Sequence, residues 1–413
     1  MDPYMRVTEE SHGVPVLIGA DSARRTTSLC FSIAFGGRHD SPEGSGAAHL
    51  MEHLLMSAPL DGGASLAERI EGLGGECNAS TGPESLLFFA QVMNEDACAV
   101  AQWMTQAVLH PEIDDKIFDS ERRVVLTELA AAAADPSDIV QERFLAELFR
   151  GHPLSQPSGG TEESVRELTL NIVEESHRRA TTTRPMAFSA VGGIDPEALR
   201  ATLGNSALAS AAVAPLTSGR PVAEPPALPL VSQRTDPSWP DEFCWLVAGG
   251  RAPRLADRER FASVVLGHLL GSSAASPLYQ RLRGENALAY MFRSWSRSYS
   301  DTGAWRFLAG AEPENAPRVL EEFRSALSEV ADKGPLEGSL AAARRLAVME
   351  AVREAEDPLE HAITLANQRC ALPGPWDPEQ HIQAVLATTG EEVAAAAARL
   401  SDELLVVASP EGA

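Results

Sequence analysis

Cysteine is scarce in this 413-residue chain. There are five, Cys30, Cys77, Cys98, Cys244 and Cys370, widely spaced and without a CxxC. The odd number and the spacing argue against a disulfide framework and a cysteine zinc knuckle, and a reducing compartment is expected. Long apolar runs are also missing. No stretch approaches the roughly 18–20 residues a membrane span needs, so no membrane association is expected. Basic residues are in deficit: Lys and Arg total 34 against 58 Asp and Glu, a net charge of −24. A chain this acidic repels phosphate backbones, so nucleic acid is not an expected partner. There is no GxxxxGK[ST] phosphate loop, Gly44-Ser45-Gly46 being too short for one, and no GxSxG serine elbow. The opening MDPYMRVTEE has neither an apolar signal core nor an Arg-rich amphipathic stretch, so no targeting segment is expected. With the Arg- and Ala-rich composition this points to a bacterial, cytoplasmic protein.

What remains is an ordinary globular composition, 44% apolar and 22% charged, long enough for two to four domains at roughly 100–200 residues each. β-prone runs at Val14–Leu17, Leu29–Phe35, Leu86–Met93 and Ala187–Val191 alternate with helical patterns, from Gly46 to about Met56, over Asp96–Leu109 and over Asp114–Ala133. The last of these continues to about Phe149 after a break at Asp135-Pro136. Residues 206–240 are rich in Pro, Ala and Ser and read as an extended linker. After them the pattern resumes, with strands at Phe243–Ala248, Tyr290–Ser298, Gly303–Ala309 and Leu404–Ala408. Helices are expected at Arg258–Leu270, Pro277–Arg283 and Pro317–Lys333. Both halves share a coarse strand, helix, strand, strand, helix order, which suggests a duplicated fold.

The sharpest chemical signal is His49-Leu50-Met51-Glu52-His53, an HxxEH on a predicted helix. Residues four apart share a helical face, so two imidazoles can approach one metal ion with Glu52 beside them. A catalytic zinc takes three protein ligands and leaves one position open, so a third ligand is needed. Glu121 and Glu128, two turns apart on the Asp114 helix, are the candidates. His39 is a secondary candidate to approach the site. The other histidines, at 110, 152, 177, 268, 361 and 381, read as structural or surface residues.

The chain resembles the pitrilysin and mitochondrial-processing-peptidase family of zinc metallopeptidases. The HxxEH is followed about 75 residues later by Ser120-Glu121-Arg122-Arg123-Val124-Val125-Leu126-Thr127-Glu128, similar to that family's ERxVVLxE. Gly74-Gly75-Glu76-Cys77-Asn78-Ala79-Ser80-Thr81 resembles its GGxxNAxT strand. Val191–Asp195 resembles the end of its first domain, and Ser276–Arg283 with Leu288-Ala289-Tyr290 its second-domain motif.

The resemblance implies an α+β fold of two homologous α/β-sandwich domains. They would be an N-terminal zinc-binding domain (1–205), the linker (206–240) and a C-terminal domain (241–413). It implies one Zn2+ per chain on His49, His53 and Glu128, with Glu52 as general base and Glu121 orienting a ligand. Asn78 and Ala79 would border the cleft, and Arg283 and Tyr290 would face the substrate. The implied activity is endopeptidase cleavage of extended peptides or unfolded segments in a dimeric chamber, as a homodimer or with a related subunit. Oligopeptide degradation and leader-peptide trimming are both compatible roles. The alternative is a catalytically silent subunit that holds peptides for an active partner.

Overall fold

The computed structural model describes residues 7–12, 14–211, 237–284 and 287–410. They form two compact units, one of residues 1–130, 156–218 and 353–377, the other of residues 131–155, 219–352 and 378–413.

The first unit is built on a six-stranded sheet of order β1-β2-β6-β3-β5-β4. Its strands are β1 (Val7–His12), β2 (Val14–Ala20), β3 (Thr26–Ile33), β4 (Glu76–Thr81), β5 (Leu86–Met93) and β6 (Met186–Gly192). All neighbours are antiparallel except β2 and β6. Central β3 reads TTSLCFSI and is buried along nearly its whole length, as a strand covered on both faces must be. Terminal β4 reads ECNAST and alternates exposed with half-buried positions. The helices are α1 (Ala47–Ser57), α2 (Leu66–Gly72), α3 (Ala97–Leu109), α4 (Asp115–Ala132), which runs just past the unit boundary, α6 (Glu162–Glu167), α7 (Leu170–Thr183), α8 (Pro196–Gly204) and α13 (Pro358–Ala371). Leu29, Phe31 and Ile33 of β3 join the core shared with α1 and α3, whereas Cys30, between them, packs with Ala362, Leu365, Ala366 and Cys370 of α13. The two-residue period of a strand thus feeds both faces.

The second unit carries a four-stranded antiparallel sheet of order β10-β7-β9-β8. Its strands are β7 (Cys244–Arg251), β8 (Met291–Ser298), β9 (Gly303–Ala311) and β10 (Leu405–Ser409). Its helices are α5 (Pro136–Leu148), α9 (Arg260–Leu269), α10 (Pro277–Tyr279, widening into a π turn through Gly284), α11 (Ala316–Lys333), α12 (Glu337–Glu356), whose last residues fall in the first unit, α14 (Pro378–Leu386) and α15 (Gly390–Asp402). The order β10-β7-β9-β8 repeats β6-β3-β5-β4 strand for strand, so the expected duplication of the fold is present in the topology.

The units do not follow chain order as the expected 1–205, 206–240 and 241–413 division does. Residues 131–155 join the second unit, and residues 353–377 join the first. The reason is apolar coverage. Each sheet's own helices cover one face. The other face needs a helix with a matching stripe, and Val140, Phe144 and Leu148 of α5 supply it at helical spacing for Val247, Leu308 and Val407. In the first unit α13 does the same for Leu17, Cys30, Ala187 and Val191. Of the expected linker, residues 212–236 lie outside the described residues.

Candidate metal centre

Helix α1 carries the HxxEH, and its start is fixed by backbone and charge together. Gly46 precedes it at φ +92, a left-handed conformation that glycine adopts at little cost. The buried carboxylate of Asp40 accepts from Gly46 N–H at 2.9 Å and from Ala48 N–H at 3.1 Å, satisfying donors the helix cannot. Burial pushes the Asp40 carboxyl up to about 7, opposed by those amides and by Arg179. A glycine pair from the loop before α6 closes over the same turn. A Cβ on Gly160 (φ +77) would lie 2.7 Å from Gly46 Cα, and one on Gly159 would lie 3.2 Å from His49 Nδ1. Neither Asp40 nor the glycine pair was singled out from sequence. A carboxylate six residues before a predicted helix was the only available signal, since the loop is distant in the chain.

Helix α4 brings the carboxylates. Asp114 Oδ1 accepts from Ile117 N–H at 2.8 Å at its start, and Phe118 and Val125, seven apart, are its buried anchors. That rotation presents Glu121 and Glu128 to α1. Glu128 Oε2 lies 3.5 Å from His49 Nε2 and 3.3 Å from His53 Nε2. Glu121 Oε2 lies 3.4 Å from His53 Nδ1. Donor atoms of His49, His53 and Glu128 all fall within 4.8 Å of one another.

These distances suit zinc. With ligand bonds of about 2.0–2.1 Å, tetrahedral geometry separates ligand atoms by about 3.3 Å. Two imidazoles and a carboxylate are a donor set zinc takes, and Glu121 is placed to hold His53 in the tautomer that frees Nε2. Burial holds the His49 imidazole below its usual range, reinforced by His53 and opposed by Glu128, which favours the neutral form a metal needs.

Glu52, on the same face of α1, accepts a short hydrogen bond from Thr81 Oγ1 at the end of β4. Burial raises its carboxyl, and the Thr81 bond opposes the rise. Asn78 and Ala79 lie in the middle of terminal β4, and Asn78 Oδ1 accepts from Ala79 N–H at 2.8 Å. His39 does not join the cluster. Its Nδ1 accepts from Gly36 N–H at 3.1 Å and its ring stacks on Phe35. Burial, with Arg184, Arg38 and Arg179 around it, holds it well below its usual pKa.

Arg283 and Tyr290 belong to the second unit. The Arg283 guanidinium donates to the Tyr290 carbonyl, so the seven-residue spacing does bring them together. Tyr290 N–H donates to Gly310 O at 2.8 Å, and the side chain is 74% exposed. Of the histidines read as structural, His177 bonds to Val108 O, His152 pairs with Asp301, and His361 is buried against Trp376.

A two-sandwich fold with an HxxEH helix facing a distant glutamate defines a class of metallopeptidase, and the comparisons agree. The family description "Insulinase (Peptidase family M16)" matches residues 16–162 and "Peptidase M16 inactive domain" matches residues 167–346. An uncharacterized zinc protease of Mycobacterium tuberculosis is 30% identical over 318 residues, covering 76% of this chain and 71% of that one. A Helicobacter pylori protease structure superposes with a TM-score of 0.84 at 17% identity, over 98% of this chain and 99% of that one. An M16 inactive domain from Pseudomonas fluorescens superposes with a TM-score of 0.79 at 17% identity, over 98% and 97%. The chain belongs to the M16 peptidase family. Among the described residues no helix is long and apolar enough to cross a membrane.

Proposed function

We propose that this protein is a zinc-dependent endopeptidase acting on extended peptides, with His49, His53 and Glu128 holding one Zn2+. The observation that carries the reading is the convergence of those three donors beside an acid, Glu52, that is not needed as a ligand. Bound zinc would supply Lewis acidity, acidifying water and polarising the scissile carbonyl. Glu52 takes a proton from the attacking water and delivers it to the leaving amine. Thr81 engages one of its oxygens, leaving the other to carry that proton. Burial raises the carboxyl and so eases the protonated half of the cycle. Terminal strand β4, with Asn78 and Ala79, offers backbone groups to a peptide added as a strand. Arg283 and Tyr290 are proposed substrate contacts, the exposed phenol serving as a donor to a developing oxyanion. The working form is proposed to be a cytoplasmic dimer, which light scattering tests.

The deciding experiment is Glu52→Gln. Elemental analysis should find zinc retained, while cleavage of a quenched fluorescent peptide falls roughly 100- to 10,000-fold. Wild-type turnover in that variant would remove the base from the mechanism. Cleavage that survives a chelator would remove the metal.

A further inference from the structure

In a chain of net charge −24, three guanidinium groups gather around one indole on one face of the second unit's sheet. Arg293, Trp295 and Arg297 alternate along β8 and so share a face, and Arg306 of β9 is registered directly opposite Trp295. Arg293 lies over the Trp295 ring at 4.4 Å and Arg306 lies over it at 4.7 Å. Arg297 stands over Tyr299 at 5.7 Å. Among the described residues none of the three is joined to a carboxylate. Arg306 is 7% exposed, and its Nε is buried without an acceptor. Burial pushes Arg306 down to about 10. Tyr299 opposes the shift, and Arg297 and Arg293 add to it.

A buried, unpaired guanidinium beside two like charges is unfavourable, and stacking on one indole offsets only part of that. α5 packs on this face over β7 and β10. Terminal β8 lies at the far side of the sheet, where Arg293 and Arg297 are exposed. An oxyanion has the acceptors that would engage the guanidinium edges the aromatic ring leaves open and offset that cost.

We propose that Arg293, Arg306 and Arg297, organised by Trp295, form a binding site for an oxyanion, supplied by a carboxylate of an acidic peptide. Choosing a peptide as the carrier rests on the peptidase reading, whereas the preference for an oxyanion does not. A planar carboxylate meets a guanidinium edge with two parallel hydrogen bonds, which a neutral amide cannot reproduce.

The test is a binding measurement on the full chain stripped of metal, so cleavage plays no part. Fluorescence anisotropy of a labelled Glu-rich peptide is compared with that of its Gln counterpart, with inorganic phosphate as competitor. The Glu peptide should bind roughly tenfold tighter, and phosphate should displace it. The preference should vanish in Arg293→Gln/Arg297→Gln, whose exposed positions spare the core, and in Arg306→Gln. If Arg306→Gln does not fold, the exposed double variant decides. Equal binding of the two peptides with no binding of phosphate, or a preference that survives the double variant, overturns the site. Phosphate binding without any peptide preference overturns the peptide as its ligand. If the Arg-dependent preference holds but the zinc-loaded protein cuts no peptide, the site stands and the peptidase reading falls.

Discussion

Gly160→Ala tests whether the loop before α6 fixes the metal helix. The new Cβ would sit 2.7 Å from Gly46 Cα, 2.8 Å from Gly46 N and 2.8 Å from Ser45 O. All three are backbone atoms, so no side chain can swing away. Two costs combine. Holding alanine at φ +77 costs about 1–2 kcal/mol, and overpacking a tight contact adds roughly 1–3 kcal/mol, giving about 2–5 kcal/mol in all. Gly62→Ala separates the two. Gly62 has φ +66 with nothing within 4 Å, so it should show only the conformational term, about 1–2 kcal/mol. The overlap is relieved by moving the first turn of α1, which carries His49. Zinc affinity should therefore fall roughly 10-fold or more in Gly160→Ala and remain unchanged in Gly62→Ala. Denaturant unfolding of the metal-free protein reads the first quantity, and competition with a chromophoric chelator reads the second. Equal destabilisation by the two substitutions, with zinc affinity intact in both, would refute the argument.

Three further outcomes are expected. Glu121→Gln should leave the fold intact but weaken zinc roughly 10- to 100-fold, because the His53 Nδ1 partner loses its charge; unchanged affinity in a chelator competition would count against that role. His361 is held down to about 4 by burial, so between about pH 6.5 and 4 the unfolded chain takes up a proton that the folded chain refuses. Stability should fall by roughly 3 kcal/mol as pH drops through that window. The slope should flatten in His361→Phe, which denaturant melts at several pH values would show. Tyr290→Phe should cost peptide turnover roughly 100- to 1,000-fold with no change in melting temperature, since the side chain is 74% exposed; a large melting shift would assign it a structural role instead.

Much of the molecule was legible where periodicity was strong. β5 spans Leu86–Met93 as read. The Asp135-Pro136 break separates α4 from α5, with Asp135 accepting from Ser137 N–H and proline in the first turn. The HxxEH helix and the two glutamates of α4 could be read because their spacing is itself the geometry. Other parts were not legible because their signal is tertiary. α12 reads EGSLAAARRLAVMEAVREAE, a weakly patterned sequence whose buried side is mostly alanine. α5 was recognised as a helix, but nothing local tells which sheet Phe144 covers. The Asp40 cap and the Arg306 stack were invisible for the same reason, each joining residues whose proximity only the fold creates.

The traded segments have a consequence for how this chain can be made. During synthesis the first sheet is complete in sequence by Gly192, yet Leu17, Cys30, Ala187 and Val191 wait for α13, more than a hundred and sixty residues later. A fragment ending anywhere in 206–240 would leave that apolar surface bare while carrying α5 with no β7 or β10 to cover. Such halves should clump when expressed alone and recover solubility when produced together. The linker thus marks a change of composition rather than a place where the protein can be cut in two.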